Sequence, residues 1–254
     1  MAAMSSLRWA VTSRPPGCYG KLPARADFVG RRLAGAAVAC WDAWTQTCLV
    51  ASQAALGVAW QSRYLTAPVW RFALPAHACG PAGLVGVFVA SADQVGRCFP
   101  FLLAQELPEM VSPVAIAVTA GAWFEAAETL VLKALDRCFD LAVLDRPMPA
   151  IIRPDPIDLP GGSAIGHAMG RWMELPMLSA LNATLRATDG IGRQSALWWT
   201  TGGGGFQPGV AITKGLIPPL GFAALLDGAW ERHGWGCATA STTTDGGSAW
   251  DRES

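Results

Sequence analysis

Between Arg71 and Asp93 no residue carries a fixed charge. That stretch is long enough on paper to cross a bilayer, yet Pro75, Gly80, Pro81, Gly83 and Gly86 break it up and His77 sits inside it. Proline and glycine at that density exclude a continuous helix. Two apolar strands joined by a turn satisfy the same pattern. The N-terminus has no basic region followed by an apolar run, so no signal peptide is expected. The reading is therefore a cytoplasmic chain with no membrane insertion.

The remaining apolar residues must then be buried in a core or against a partner. Hydrophobic residues make up 52% of the 254 positions, charged ones 15%, and 12 residues are Trp. Indoles are common in cores and over-represented at interface hot spots, so both uses stay open. Lys and Arg together number 19 and so do Asp and Glu. Such a balance gives no basic field for a phosphate backbone, and nucleic acid is not expected as a partner. Seven widely spaced Cys residues, none in a C-x-x-C pair, suggest neither a disulfide framework nor a zinc site. Neither a metal nor another cofactor is expected.

Apolar periodicity sets the elements. Residues 1–16 read as a loose lead. Gly17 to Pro23 is a short strand or turn, and Asp27 is placed to cap a helix through Phe28, Val29 and Leu33. Trp41, Trp44, Cys48, Leu49 and Leu56 recur at helical spacing up to a stop at Gly57. Short apolar runs at 69–74, 84–90, 99–104 and 114–118 predict strands, and 122–138 predicts a helix whose charged residues, Glu128 among them, stay off the apolar face. A Pro- and Gly-rich connection covers 145–170, with a short strand at Ile151-Ile152-Arg153. A helix is expected over 176–187, strands at 195–200 and 209–213, and a last helix over 221–233. The Ser-, Thr- and Gly-rich residues 237–254 predict a disordered tail. Strands 68–118 are too closely spaced for crossover helices. The fold class is α/β, a mixed and largely antiparallel sheet with helices on its faces.

Catalytic motifs are incomplete. Gly202 to Gly205 lacks the Lys-Ser/Thr pair or the helix start that holds a phosphate, and reads as a hairpin tip. Ser163 misses the G-x-S-x-G elbow by one position. His77, His167 and His233 are scattered. Asp155 and Asp158 flank Pro156 in a loop and read as solvated carboxylates. The chain is not expected to be an enzyme. The alternative is a hydrolase whose site is assembled from distant segments around Ser163, or a Cys, and His167.

Three linked segments stand out instead. The first is Gly17-Cys18-Tyr19-Gly20-Lys21-Leu22-Pro23-Ala24-Arg25-Ala26-Asp27-Phe28. The second runs from Trp60 through Tyr64, Ala67 and Pro68 to Trp70-Arg71-Phe72. The third is Ser91-Ala92-Asp93-Gln94-Val95-Gly96-Arg97-Cys98-Phe99-Pro100. In this order they resemble the TagF family, also called ImpM, whose segments read G-x-x-G-K-L-P-x-x-G-D-F, W-x-x-x-Y-L-x-A-P-x-W-R-F and S-x-D-x-V-G-R-x-F-P. The likeness is strong from about 17 to 140 and looser to about 235, where Ser195 and Trp198-Trp199 resemble a late family element. Ala26 departs from the usual Gly, which would strain the backbone if that position needed positive φ.

The resemblance implies one α/β domain over 17–236, a three-layer α/β/α fold, and a post-translational repressor of type VI secretion. It also implies a forkhead-associated scaffold protein as partner; the sequence sets no oligomeric state. From the residues themselves, Trp70 and Phe72 pack one sheet face while Arg71 points elsewhere. Arg97 binds carbonyls or a carboxylate such as Asp93 or Asp27. Gly20, Pro23, Gly96 and Pro100 shape turns, and Leu22, Asp27, Phe28, Phe99, Ser195 and Trp198 are read as structural members of the motifs. Lys21, Arg25, Arg71 and Arg97 are the candidate partner contacts. Lys21 and Arg25, with Arg31 and Arg32, are expected at the surface because such charges stay solvated.

Overall fold

A computed structural model describes residues 10–12, 16–108, 111–152, 169–176, 178–188, 191–192 and 194–238. The strands are β1 (Ala10–Thr12), β2 (Gly17–Gly20), β3 (Val29–Arg31), β4 (Trp70–Leu74), β5 (Gly83–Val89), β6 (Phe101–Leu107), β7 (Ile151–Ile152), β8 (Arg171–Glu174), β9 (Ala196–Thr200), β10 (Gly209–Thr213) and β11 (Gly236–Ala238). The helices are α1 (Gly35–Leu56), α2 (Trp60–Leu65), α3 (Pro113–Thr119), α4 (Gly121–Ala134), α5 (Leu181–Ala187) and α6 (Ala224–Asp227).

Nine strands form one sheet in the order β11-β8-β10-β9-β4-β5-β6-β2-β3. All neighbours are antiparallel except β8 and β11, so the sheet is mixed and largely antiparallel. The uncharged stretch after Arg71 forms the β4–β5 hairpin, paired from Trp70↔Phe88 to Leu74↔Leu84.

Two-residue alternation splits the core between the faces. Ala73, Val85, Val87, Phe101, Leu103, Leu197, Trp199 and Ile212 point to one side, under α3, α4 and α5. Trp70, Phe72, Leu84, Phe88, Leu102, Trp198 and Ala211 point to the other, under α1, α2 and α6. The result is three layers, α/β/α. Every described tryptophan is at most 8% exposed. Trp41, Trp44, Phe72, Phe88 and Trp198 interlock under α1 with ring centroids 4.8–6.4 Å apart. The described indoles are therefore core, which settles their use.

Several elements depart from the expectations. Residues 114–118 form α3 instead of a strand: Pro113 opens the helix, and a continuous apolar run fits a buried helix as well as a buried strand. Asp27 caps no described helix; Val29–Arg31 leave the turn as a strand paired with β2, and Arg32 at φ 58° ends it. The expected last helix is broken, because Gly228 takes φ 72° after α6 and leaves a separate 3-10 turn at Glu231–His233. β8 was not anticipated, since its four residues show no alternation: Trp172 and Met173 are both buried, one on each face of the sheet. Cys237 and Ala238 belong to β11 and not to a tail. Ala10–Thr12, expected as loose lead, pair with Ile151–Ile152. Residues 153–168 and 239–254 lie outside the described residues, and with them Arg153, Asp155, Asp158, Ser163, His167 and most of the expected tail.

Among the described residues no single helix is long and apolar enough to cross a membrane. α3 and α4 reach that composition only jointly, across an 81° bend, and both pack apolar residues into the core.

Candidate functional site

The first and third motifs fold onto each other at the β3 end of the sheet. Asp93 is the centre. Its side chain is fully buried, yet it takes Lys21 Nζ at 3.0 Å and Arg97 Nε at 2.6 Å. It also accepts the backbone N–H of Val95 at 3.1 Å and of Arg97 at 2.9 Å. Burial alone raises a carboxyl pKa. Here the donors outweigh it and hold Asp93 well below the usual carboxylate range. The loop closes around it: Gly96 N–H reaches Asp93 O at 2.9 Å, with Gly96 at φ 86°, a conformation glycine adopts without strain.

Arg97 bridges the motifs. Its Nη2 donates to Ala26 O at 2.9 Å, and nearby Gln94 N–H donates to Arg25 O at 3.0 Å. Carboxylate and carbonyl binding by Arg97 is thus as expected. Arg32 and His77 are the described non-glycine residues with positive φ. Ala26 is therefore unstrained, and its departure from the family glycine carries no backbone penalty.

The aromatic half of the site rests on this ionic core. Phe28 is 44% exposed, stacks on Tyr19 at 5.3 Å and meets Phe99 edge-on at 4.8 Å. Lys21 Nζ lies 5.2 Å from the Phe28 ring centroid, within reach of a cation–π attraction. Tyr19 donates to Asp42 on α1 at 2.7 Å. Tyr64 of the second motif exchanges bonds with Ser91, donating to its carbonyl at 2.9 Å and accepting its N–H at 3.1 Å. All three motifs thereby meet.

The four candidate contacts separate. Arg25 and Arg97 are exposed. Lys21 is only 8% exposed, against the expectation of a solvated surface charge, because the buried Asp93 holds it. Arg71 is 4% exposed and lies under α4. There Nε and Nη2 form a bidentate pair with Glu128 at 2.8 and 2.7 Å. That placement removes Arg71 as a direct contact and draws Glu128 into the helix face it was expected to avoid. Trp70 and Phe72 do point the opposite way, as read.

Most other motif residues shape the fold. A Cβ on Gly20 (φ 134°) would sit 2.1 Å from Pro100 O. Leu22 and Phe99 are buried, Pro23 lies in the turn that Arg25 N–H closes onto Leu22 O, and Asp27 is exposed. Ser195 Oγ accepts Gly192 N–H at 3.0 Å, and Trp198 Nε1 donates to Thr213 Oγ1 at 3.0 Å.

Two features were missed in the sequence. Val95, at the tip of the third motif, is 70% exposed; an apolar residue in a polar turn was the available signal. Asp145 gathers Arg31 and Arg32 in ion pairs, and hydrogen bonds from Arg32 and then Arg31 hold its carboxyl below the ordinary range. A groove of about 330 Å³ runs beside them along β3, with Arg25, Phe28 and Leu141 in its walls.

His233 Nε2 meets Asp227 Oδ2 at 2.9 Å beside a second groove of about 210 Å³ lined by Arg63, Trp172 and Trp230. Among the described residues no Ser or Cys side chain hydrogen-bonds His233. The expected hydrolase pair, Ser163 and His167, lies outside the described residues.

The site is an ion-paired loop junction with Arg25, Phe28 and Arg97 exposed on it. The family model described as the TagF N-terminal domain, type VI secretion system-associated, matches residues 17–151. The chain belongs to this family and is a type VI secretion-associated accessory protein. It is also similar to the crystal structure of PA0076 from Pseudomonas aeruginosa PAO1. That match has 29% identity and a TM-score of 0.64, and covers 83% of this chain and 93% of that one. No curated protein matches it.

Proposed function

We propose that this protein restrains type VI secretion post-translationally, in the cytoplasm, by binding a component of the system and without catalysing a reaction. The component we favour is the forkhead-associated scaffold protein. The observation that carries the reading is the junction of the family motifs. Asp93, Lys21 and Arg97 are spent on holding two loops together, while Arg25, Phe28 and Val95 are left outward on them. A rigid loop pair with an exposed aromatic and a cation suits protein recognition.

Binding restrains a partner only if its resting form is bound more tightly than its active form, so the mechanism is a population shift. The test is a pull-down of the tagged chain from cells making the secretion apparatus, alongside secretion assays in a deletion strain. Recovery of the scaffold, with secretion rising on deletion, supports the proposal. Secretion unchanged on deletion under every repressing condition overturns it.

A further inference from the structure

We infer that β3 is a docking edge, which takes an extended acidic segment of the partner protein as an added antiparallel or parallel strand. This deepens the proposed function and rests on it. β3 ends the nine-stranded sheet. It pairs with β2 on one side and, among the described residues, with no strand on the other. An edge strand leaves a row of backbone donors and acceptors open, the template for strand addition.

Three further observations mark this edge. The first is the groove of about 330 Å³ that follows β3, walled on its far side by Leu141. The second is Gly30 at the middle of the strand. It is exposed, and among the described residues a Cβ there would meet only the Tyr19 ring, at 3.6 Å. A strand glycine leaves room for another backbone to come close.

The third is charge. From Lys21 to Arg32 and from Ser91 to Arg97 the chain carries five cations and two carboxylates, and Asp145 adds a third carboxylate. The surplus is positive on a chain whose formal net charge is zero. Among the described residues Arg25, in the groove wall, makes no ion pair, and its side chain bonds to Ala24 O at 2.9 Å. Phe28, at the start of the strand, supplies an exposed ring for an apolar residue of the incoming segment. Acidic residues flanking such an apolar residue complete the match.

The experiment uses the full chain and the purified full-length forkhead-associated scaffold of the same system. Binding is titrated for the wild type, Arg25→Glu, Gly30→Glu and, as a control on the exposed face of α4, Lys133→Glu. Amide hydrogen exchange is followed with and without the scaffold. The expected result is slowed exchange at 29–31 on binding, about tenfold weaker binding by Arg25→Glu and Gly30→Glu, and no change with Lys133→Glu. Circular dichroism and unfolding curves of both variants, matched to wild type, tie the loss to the edge.

Binding with protection elsewhere and undiminished affinity in both variants overturns the edge assignment and leaves the proposed function standing. Failure of the wild-type chain to bind the scaffold overturns both. Protection of 29–31 that rises with the concentration of this chain alone assigns the edge to a second copy and overturns the acidic partner segment.

Discussion

Lys21 Nζ and Asp93 Oδ2 lie 3.0 Å apart, although one follows β2 and the other follows β5. Arg97 Nε approaches the same carboxylate oxygen at 2.6 Å. Two loops that share no strand pairing are thus joined through one buried carboxylate. Burial of that carboxylate is tolerable because every approach to it brings a donor.

Asp93→Asn removes the charge and keeps the size, so it should lower stability and loosen both loops. The folded carboxyl titrates below its unfolded value, so its contribution is complete above about pH 4 and is lost as pH falls further. Urea unfolding at pH 7 and at pH 3 checks this. The gap between wild type and variant should be widest at pH 7 and should narrow in acid.

Arg71 and Glu128 form a bidentate pair between sheet and helix, with side chains 5% and 16% exposed. Arg71→Met strands Glu128 in a largely dry site and should cost about 3 kcal/mol. Adding Glu128→Leu removes the stranded charge and should recover much of that loss. A double-mutant cycle by chemical unfolding measures the coupling. Equal and additive losses would refute it.

Gly86 sits in β5 where a Cβ would fall 2.6 Å from Leu103 O and 2.6 Å from Phe72 Cζ. One contact is backbone in the neighbouring strand and the other is a ring locked under α1, so neither yields easily. Gly86→Ala should destabilise by about 1–3 kcal/mol. Gly96, with nothing within 4 Å of a built Cβ but φ 86°, should lose stability on substitution through backbone strain, by about 1 kcal/mol. Thermal unfolding of the two alanine variants tests both.

The cysteines should react in order of exposure. Burial pushes the Cys18 thiol up to about 11, with Arg32 and Arg31 opposing it only in part. Burial also raises Cys48 and Cys79, whereas Cys138 is exposed. Iodoacetamide at pH 8 should modify Cys138 first and the buried three roughly a hundredfold more slowly. Peptide mass spectrometry over time reads the order. Early labelling of Cys18 in the folded protein would contradict the buried arrangement.

The sequence alone determined the layers of this protein. Strands of alternating Trp70, Arg71, Phe72 and Val85, Gly86, Val87 need two covered faces, and the spacing of Trp41, Trp44 and Cys48 supplies a helix for one of them. Period and punctuation are local properties, so hairpin β4–β5, helix α1 and strands β9 and β10 could be read directly. The motif order also pointed to the family. Tertiary structure decided the rest. A continuous apolar run at 113–119 has no period to read, and packing against β4, β9 and α5 settled it as the helix that Pro113 opens. Lys21 looked like a surface charge and Arg71 like a partner contact, because solvated cations are the rule and their carboxylate partners, Asp93 and Glu128, lie far off in the chain. Charge pairing and sheet edges depend on which distant segments meet, and that is set by packing, not by any local pattern.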